Sequence, residues 1–84
     1  MELERKKEIA AELIKKAVEI SETTNHDVFV IYSPHVQWIE IDIHKNGWNK
    51  NSTSSRMTVN FDPVYDSESQ FENAMAVLES LANK

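Results

Sequence analysis

Cysteine is absent from this chain of 84 residues, glycine occurs once and proline twice. Without a thiol there can be no disulfide, no iron–sulfur cluster and no thiolate zinc site. A single glycine, Gly47, is too few for phosphate-cradling loops, which need several for close backbone approach. Positive charge is also scarce: 9 Lys plus Arg stand against 14 Asp plus Glu, for a net charge of −5. No apolar run approaches the roughly 18 residues of a membrane span. The segment Met1-Glu2-Leu3-Glu4-Arg5-Lys6-Lys7-Glu8 mixes both charge signs with no apolar run behind it, unlike a secretory leader. The expectation is a cytoplasmic protein with one domain over residues 1–84 and one small core. A chain of this length buries only about 60–65% of its unfolded surface, so association would add materially to its stability.

The sequence that is present has clear periods. Residues 2–23 predict an amphipathic helix, with Leu3, Ala10, Leu13, Ile14, Ala17 and Ile20 on one stripe at spacings of three, four and seven. Residues 28–32, Val-Phe-Val-Ile-Tyr, form a continuous apolar run, the pattern of a strand covered on both faces or at a sheet centre. Ser33-Pro34-His35 interrupts it. From Val36 to His44 the chain alternates, with Ile39, Ile41 and Ile43 on one face and Trp38, Glu40, Asp42 and His44 on the other. A polar loop follows from Lys45 to Ser55, then a third strand over 56–61 with Met57, Val59 and Phe61 inward. Ser67 and Gln70 have the spacing of a capping box. Phe71, Ala74, Met75, Leu78, Leu81 and Ala82 make a second one-faced helix. The expected fold is α+β in the order α-β-β-β-α, a three-stranded antiparallel meander with both helices packed on one face.

Such a layout leaves the other sheet face open, with Trp38, Glu40, Asp42 and His44 beside Arg56, Thr58 and Asn60. The first strand must add either Phe29 and Ile31 or Val28, Val30 and Tyr32. Aromatic, β-branched and charged groups together suit a contact surface. The plainer alternative is that Trp38 shields the face and Glu40 or Asp42 pairs with Arg56 across strands.

Chemistry-bearing clusters are thin. His35, Asp42 and His44 carry metal-ligand atoms close in sequence, but too few ligands accompany them, and surface titration is the simpler reading. Glu40 and Asp42 share a face, yet so small a sheet offers no deep cleft to raise a carboxyl pKa. The serines and threonine of Asn51-Ser52-Thr53-Ser54-Ser55 lack a base at a recognisable spacing. No catalytic, metal or cofactor site is expected, and the chain reads as a non-enzyme. Lys45, Lys50 and Arg56 with Trp48 make a locally basic stretch able to touch phosphates and stack on bases, though three charges are a thin footprint.

The α-β-β-β-α order and the Pro34-His35 turn resemble the double-stranded-RNA-binding domain. That family carries a lysine cluster at the start of its last helix; this chain has Asp66, Glu68 and Glu72 there, so the resemblance implies the architecture without the RNA function. The segments Asn25-His26-Asp27-Val28, Ser33-Pro34-His35-Val36 and His44-Lys45-Asn46-Gly47-Trp48 look like small proteins of phages and prophages of Gram-positive bacteria. That resemblance implies an accessory protein that acts by binding. Asp62, Asp66, Glu68, Glu72 and Glu79 also give an acidic bias similar to that of some anti-CRISPR proteins, which implies carboxylates standing in for nucleic-acid phosphates.

The leading expectation is a protein-interaction module that meets a partner, or a second copy of itself, through Trp38, Glu40, Asp42, His44 and Arg56 on the open face, with Trp48 nearby. Nucleic-acid binding by the 45–56 loop and acidic mimicry against a host protein are the alternatives.

Overall fold

The computed structural model describes residues 1–82. The order is α1 (Leu3–Thr23), β1 (Asp27–Ser33), β2 (Trp38–His44), β3 (Ser55–Asn60) and α2 (Ser67–Ala82). The strands form one antiparallel sheet in the order β1-β2-β3. Both helices cover one face, giving two layers with a shortest dimension of 16 Å. The surface area of 5500 Å² exceeds the roughly 5,100 Å² of a compact monomer of this mass. The excess fits a sheet covered on one side only.

The alternation in β2 places Ile39, Ile41 and Ile43 in the core, where they meet Val59 and Phe61 from the third strand region. Ile9, Leu13 and Ile20 of α1 and Ala74, Leu78 and Leu81 of α2 close the core from above. The buried sector of α1 differs from the expected stripe. Ile9 is fully buried, whereas Leu3 and Ile14 are more than half exposed. The apolar arc of α1 spans about half its circumference, wider than the sheet beneath can cover, and Leu3 and Ile14 lie on the uncovered flank.

The apolar run of β1 is likewise not a central strand. β1 is an edge, with Phe29 at 42% and Ile31 at 46% exposure on the open face. Its inner residues Val28 and Val30 pack against the core. Among the described residues no fourth strand pairs outside β1.

The termini of the helices are held by specific side chains. Thr24 donates both its N–H and its hydroxyl to the Ile20 carbonyl, at 2.9 and 2.7 Å, and Thr23 Oγ1 donates to Glu19. The bonds from Thr24 serve the Ile20 carbonyl, which has no partner inside the helix. At α2 the expected capping box does not form. Asp66 is the cap, its Oδ1 accepting from Ser69 N–H at 3.1 Å. Ser67 and Gln70 reach sideways instead: Ser67 Oγ donates to the Asn60 carbonyl, and Gln70 Oε1 accepts from Asn60 N–H at 2.7 Å. Helix start and strand end are thereby fastened at one residue, Asn60, through its N–H and its carbonyl.

The two helices are joined at their N-terminal ends. Arg5 donates to both carboxylate oxygens of Glu68, at 2.7 and 2.6 Å, and lies over the Phe71 ring. Lys6 bonds Gln37 in the β1–β2 turn and sits 5.6 Å from the Phe61 ring centre. The hydrogen bonds from Arg5 hold the Glu68 carboxyl below the ordinary glutamate range; partial desolvation opposes them, and the Arg5 charge adds to them. A carboxyl whose pKa is lower folded than unfolded stabilises the fold above its unfolded value, and that contribution is lost as the pH falls through the folded one. Glu68→Gln is therefore expected to lower Tm at neutral pH, and the gap to wild type should close below about pH 4. Melting curves by circular dichroism across the acid range check this. A gap independent of pH would mean the pair contributes nothing through charge.

Candidate functional site: the open face of the sheet

The register sets out the open face row by row. Phe29, Asp42 and Arg56 lie side by side across the three strands, as do Ile31, Glu40 and Thr58, and Ser33, Trp38 and Asn60. Asp27 sits beside His44 at the far end. Of the two sets open to β1, the face takes Phe29 and Ile31. The sequence left that choice undecided, because a strand that is apolar throughout carries no phase of its own.

Charges on this face are internally paired. Arg56 Nε donates to Asp42 Oδ1 at 2.9 Å and lies 3.8 Å from Glu40 Oε2. Glu40 accepts at its other oxygen from the indole N–H of Trp38, at 3.3 Å. Trp38, Glu40, Arg56 and Asp42 thus form one connected chain. The hydrogen bond to Asp42 and the two carboxylate charges hold the Arg56 guanidinium above its ordinary value, so it remains a cation. The expected cross-strand pairing of Arg56 is present with both carboxylates. It occupies the acidic pair with a salt bridge, which is the opposite of what a general acid–base couple needs.

His44 stands edge-on to Phe29, with ring centres 5.5 Å apart at 84°. Its Nδ1 lies 2.8 Å from Ser52 Oγ, a histidine–serine contact that sequence spacing did not reveal. Ser52 Oγ also donates to the Asn49 carbonyl at 2.9 Å and accepts from Asn49 N–H. The contact ties the β2–β3 loop to the sheet. Eight residues separate the two, in a loop whose path no periodicity fixes, which is why sequence gave no sign of it.

That loop is anchored further by Asn46 N–H on His26 Nδ1 at 3.1 Å and by Trp48 N–H on Asp27 Oδ2 at 2.7 Å. Asn46 and Gly47 both have positive φ, at 65° and 97°, which makes the sharp turn after β2. Trp48 is carried at the Asp27–His44 end of the sheet with its side chain more than half exposed, off the rows formed by the other five candidate residues. Arg56 belongs to the face and not to the loop, so the basic stretch keeps Lys45 and Lys50 alone. His35 lies in the turn at the opposite end of β2 from His44, a strand length of about 20 Å away. Among the described residues there is no group of three or more metal-ligating side chains, and no helix is long and apolar enough to cross a membrane.

Fold and site together define a two-layer α+β domain with one uncovered, internally salt-bridged sheet face. No protein-family model, curated protein or solved structure matches the chain.

Proposed function

We propose that this chain is a non-enzymatic interaction module of the phage-accessory type, which presents the open sheet face to another protein. The observation that carries this reading is the chain Trp38–Glu40–Arg56–Asp42 lying beside exposed Phe29 and Ile31. Side chains already held in one geometry lose little freedom on docking, which leaves more of the contact energy for affinity. Trp38 is the anchor, a large rigid ring at the end of the face. Arg56, Glu40 and Asp42 set the register of the partner through charge.

The nucleic-acid alternatives have less to draw on. Arg56 is engaged by Asp42, and Glu68, one of the acidic groups available for mimicry, is engaged by Arg5. The test is capture of binding proteins from a lysate of the source cells on immobilised wild type, Trp38→Ala and a control, Glu12→Ala, on the exposed side of α1. The partner captured by wild type and Glu12→Ala should bind Trp38→Ala at least about tenfold more weakly, with unchanged circular dichroism. Equal capture by all three sinks the reading. Salt-dependent retention of RNA that disappears on neutralising Lys45 and Lys50 would replace it with the loop.

A further inference from the structure

The free edge of the sheet has a structure of its own. Val28 N–H is bonded at 3.0 Å to Ser21 Oγ of α1, so it points away from β2. In an antiparallel ladder the backbone groups alternate in direction along the strand. Val30 and Tyr32 therefore direct their N–H and C=O groups outward as well, while Phe29 and Ile31 bond to β2. Pro34, the next outward position, has no N–H. The unpaired stretch runs from Val30 to Tyr32 with Ile31 at its centre, and no charged residue, bulge or proline interrupts it. Sheet edges left in this condition are templates for strand pairing.

A second apolar stripe runs alongside. At about 100° per residue, Leu3, Ala10, Ile14 and Val18 fall on the sector of α1 next to its buried one. Ile14 is 51% and Val18 56% exposed, and both line a groove with Val28 and Val30. Leu3 and Ala10 line a second hollow with Tyr32, so α1 runs opposite to β1 along the edge.

We propose that this edge joins two copies of the chain, β1 pairing with β1 antiparallel about a two-fold axis at Ile31, so that two three-stranded sheets become one of six strands. Val30 of each copy then exchanges hydrogen bonds with Tyr32 of the other, and the Ser21–Val28 bond is left intact. The same axis lays the two α1 helices antiparallel. Lys7 of one copy approaches the Glu22 end of the other, so opposite charges meet at both ends of the helix pair. An extended peptide from another protein would satisfy the strand edge but leave Ile14 and Val18 bare; a second copy supplies a strand and an apolar helix flank together. With Leu3, Ile14, Val18, Ile31 and Tyr32 each about half exposed or more, two copies would remove an area on the order of 1,000 Å² from water, the size a specific interface needs. The surface is distinct from the Trp38 end of the open face, and Trp38→Ala should leave the association unchanged, so the two proposals fail separately.

The absence of cysteine makes the test direct. Wild type should show by light scattering twice the chain mass of 9.7 kDa. Ile31→Cys should form a disulfide-linked dimer under mild oxidation, because residues facing each other at the axis hold their Cβ atoms about 5 Å apart. Thr58→Cys, on β3 and the same face, should not. The double variant Ile14→Glu with Val18→Glu, both at exposed positions, should raise the dimer dissociation constant at least about tenfold with circular dichroism unchanged. A monomer at every concentration up to the solubility limit overturns the proposal, as does a dimer in which Ile31→Cys fails to link. A monomer that binds a strand-forming peptide at this edge also overturns it, in favour of a foreign strand. Should the double variant not fold, the comparison of the two cysteine variants decides alone.

Discussion

Ile41→Ala is expected to lower Tm by about 12–24 °C, the consequence of losing about 3 kcal/mol in a domain of this size. Ile41 sits on the central strand, between Val30 on one side and Met57 on the other, and is fully buried. Its removal leaves a cavity where the sheet meets both helices, and the neighbours cannot collapse into it without shifting the ladder. Small domains are stabilised by only several kcal/mol, so much of the margin would disappear. The control is Val64→Ala, in the exposed turn before α2, which should leave Tm within about 2 °C. Thermal melts by far-ultraviolet circular dichroism measure both. Similar shifts for the two variants would show that the inner sheet face is not the core.

The second large effect concerns the fastening of α2. Gln70→Ala is expected to destabilise by about 1–3 kcal/mol, because Asn60 N–H, partly buried at the end of β3, loses its acceptor. Ser67→Ala should fall in the same range by stranding the Asn60 carbonyl, since Ser67 is itself buried. Both bonds hold the same residue, Asn60, so the double variant should lose measurably less than the two single losses added together. Gln70→Glu keeps an oxygen in place and should recover most of the loss. Denaturant titrations supply the free energies. If Gln70→Glu is as damaging as Gln70→Ala, the loss comes from packing and not from the hydrogen bond to Asn60.

These two residues also show how far local pattern carries. The Ser67–Gln70 spacing announces the start of a helix, and the helix does start there. Which backbone groups the side chains serve was not legible, because a capping box and a clamp on a neighbouring strand need the same atoms at the same spacing. Arg56 behaves similarly. Its place on the outer side of β3 follows from alternation, but its simultaneous hold on Asp42 and Glu40 depends on the register between β2 and β3. The contact between His44 and Ser52 lies outside any periodic argument, since an irregular loop brings the two together.

The sequence by itself determined the elements, their order and the inward faces of β2, β3 and α2, because strict alternation or one-sided helical spacing assigns each residue a side without reference to any other element. Trp38, Glu40, Asp42, His44 and Arg56 could be assembled on one face for that reason. Tertiary structure alone decided the role of β1 and the buried sector of α1. An unbroken apolar run from Val28 to Tyr32 has no phase, so the ladder with β2 and the cover from α1 had to choose Phe29 and Ile31 for the open side. An apolar arc wider than its footprint has no unique centre, so the position of the sheet selected Ile9, Leu13, Ala17 and Ile20 and left Ile14 and Val18 in water.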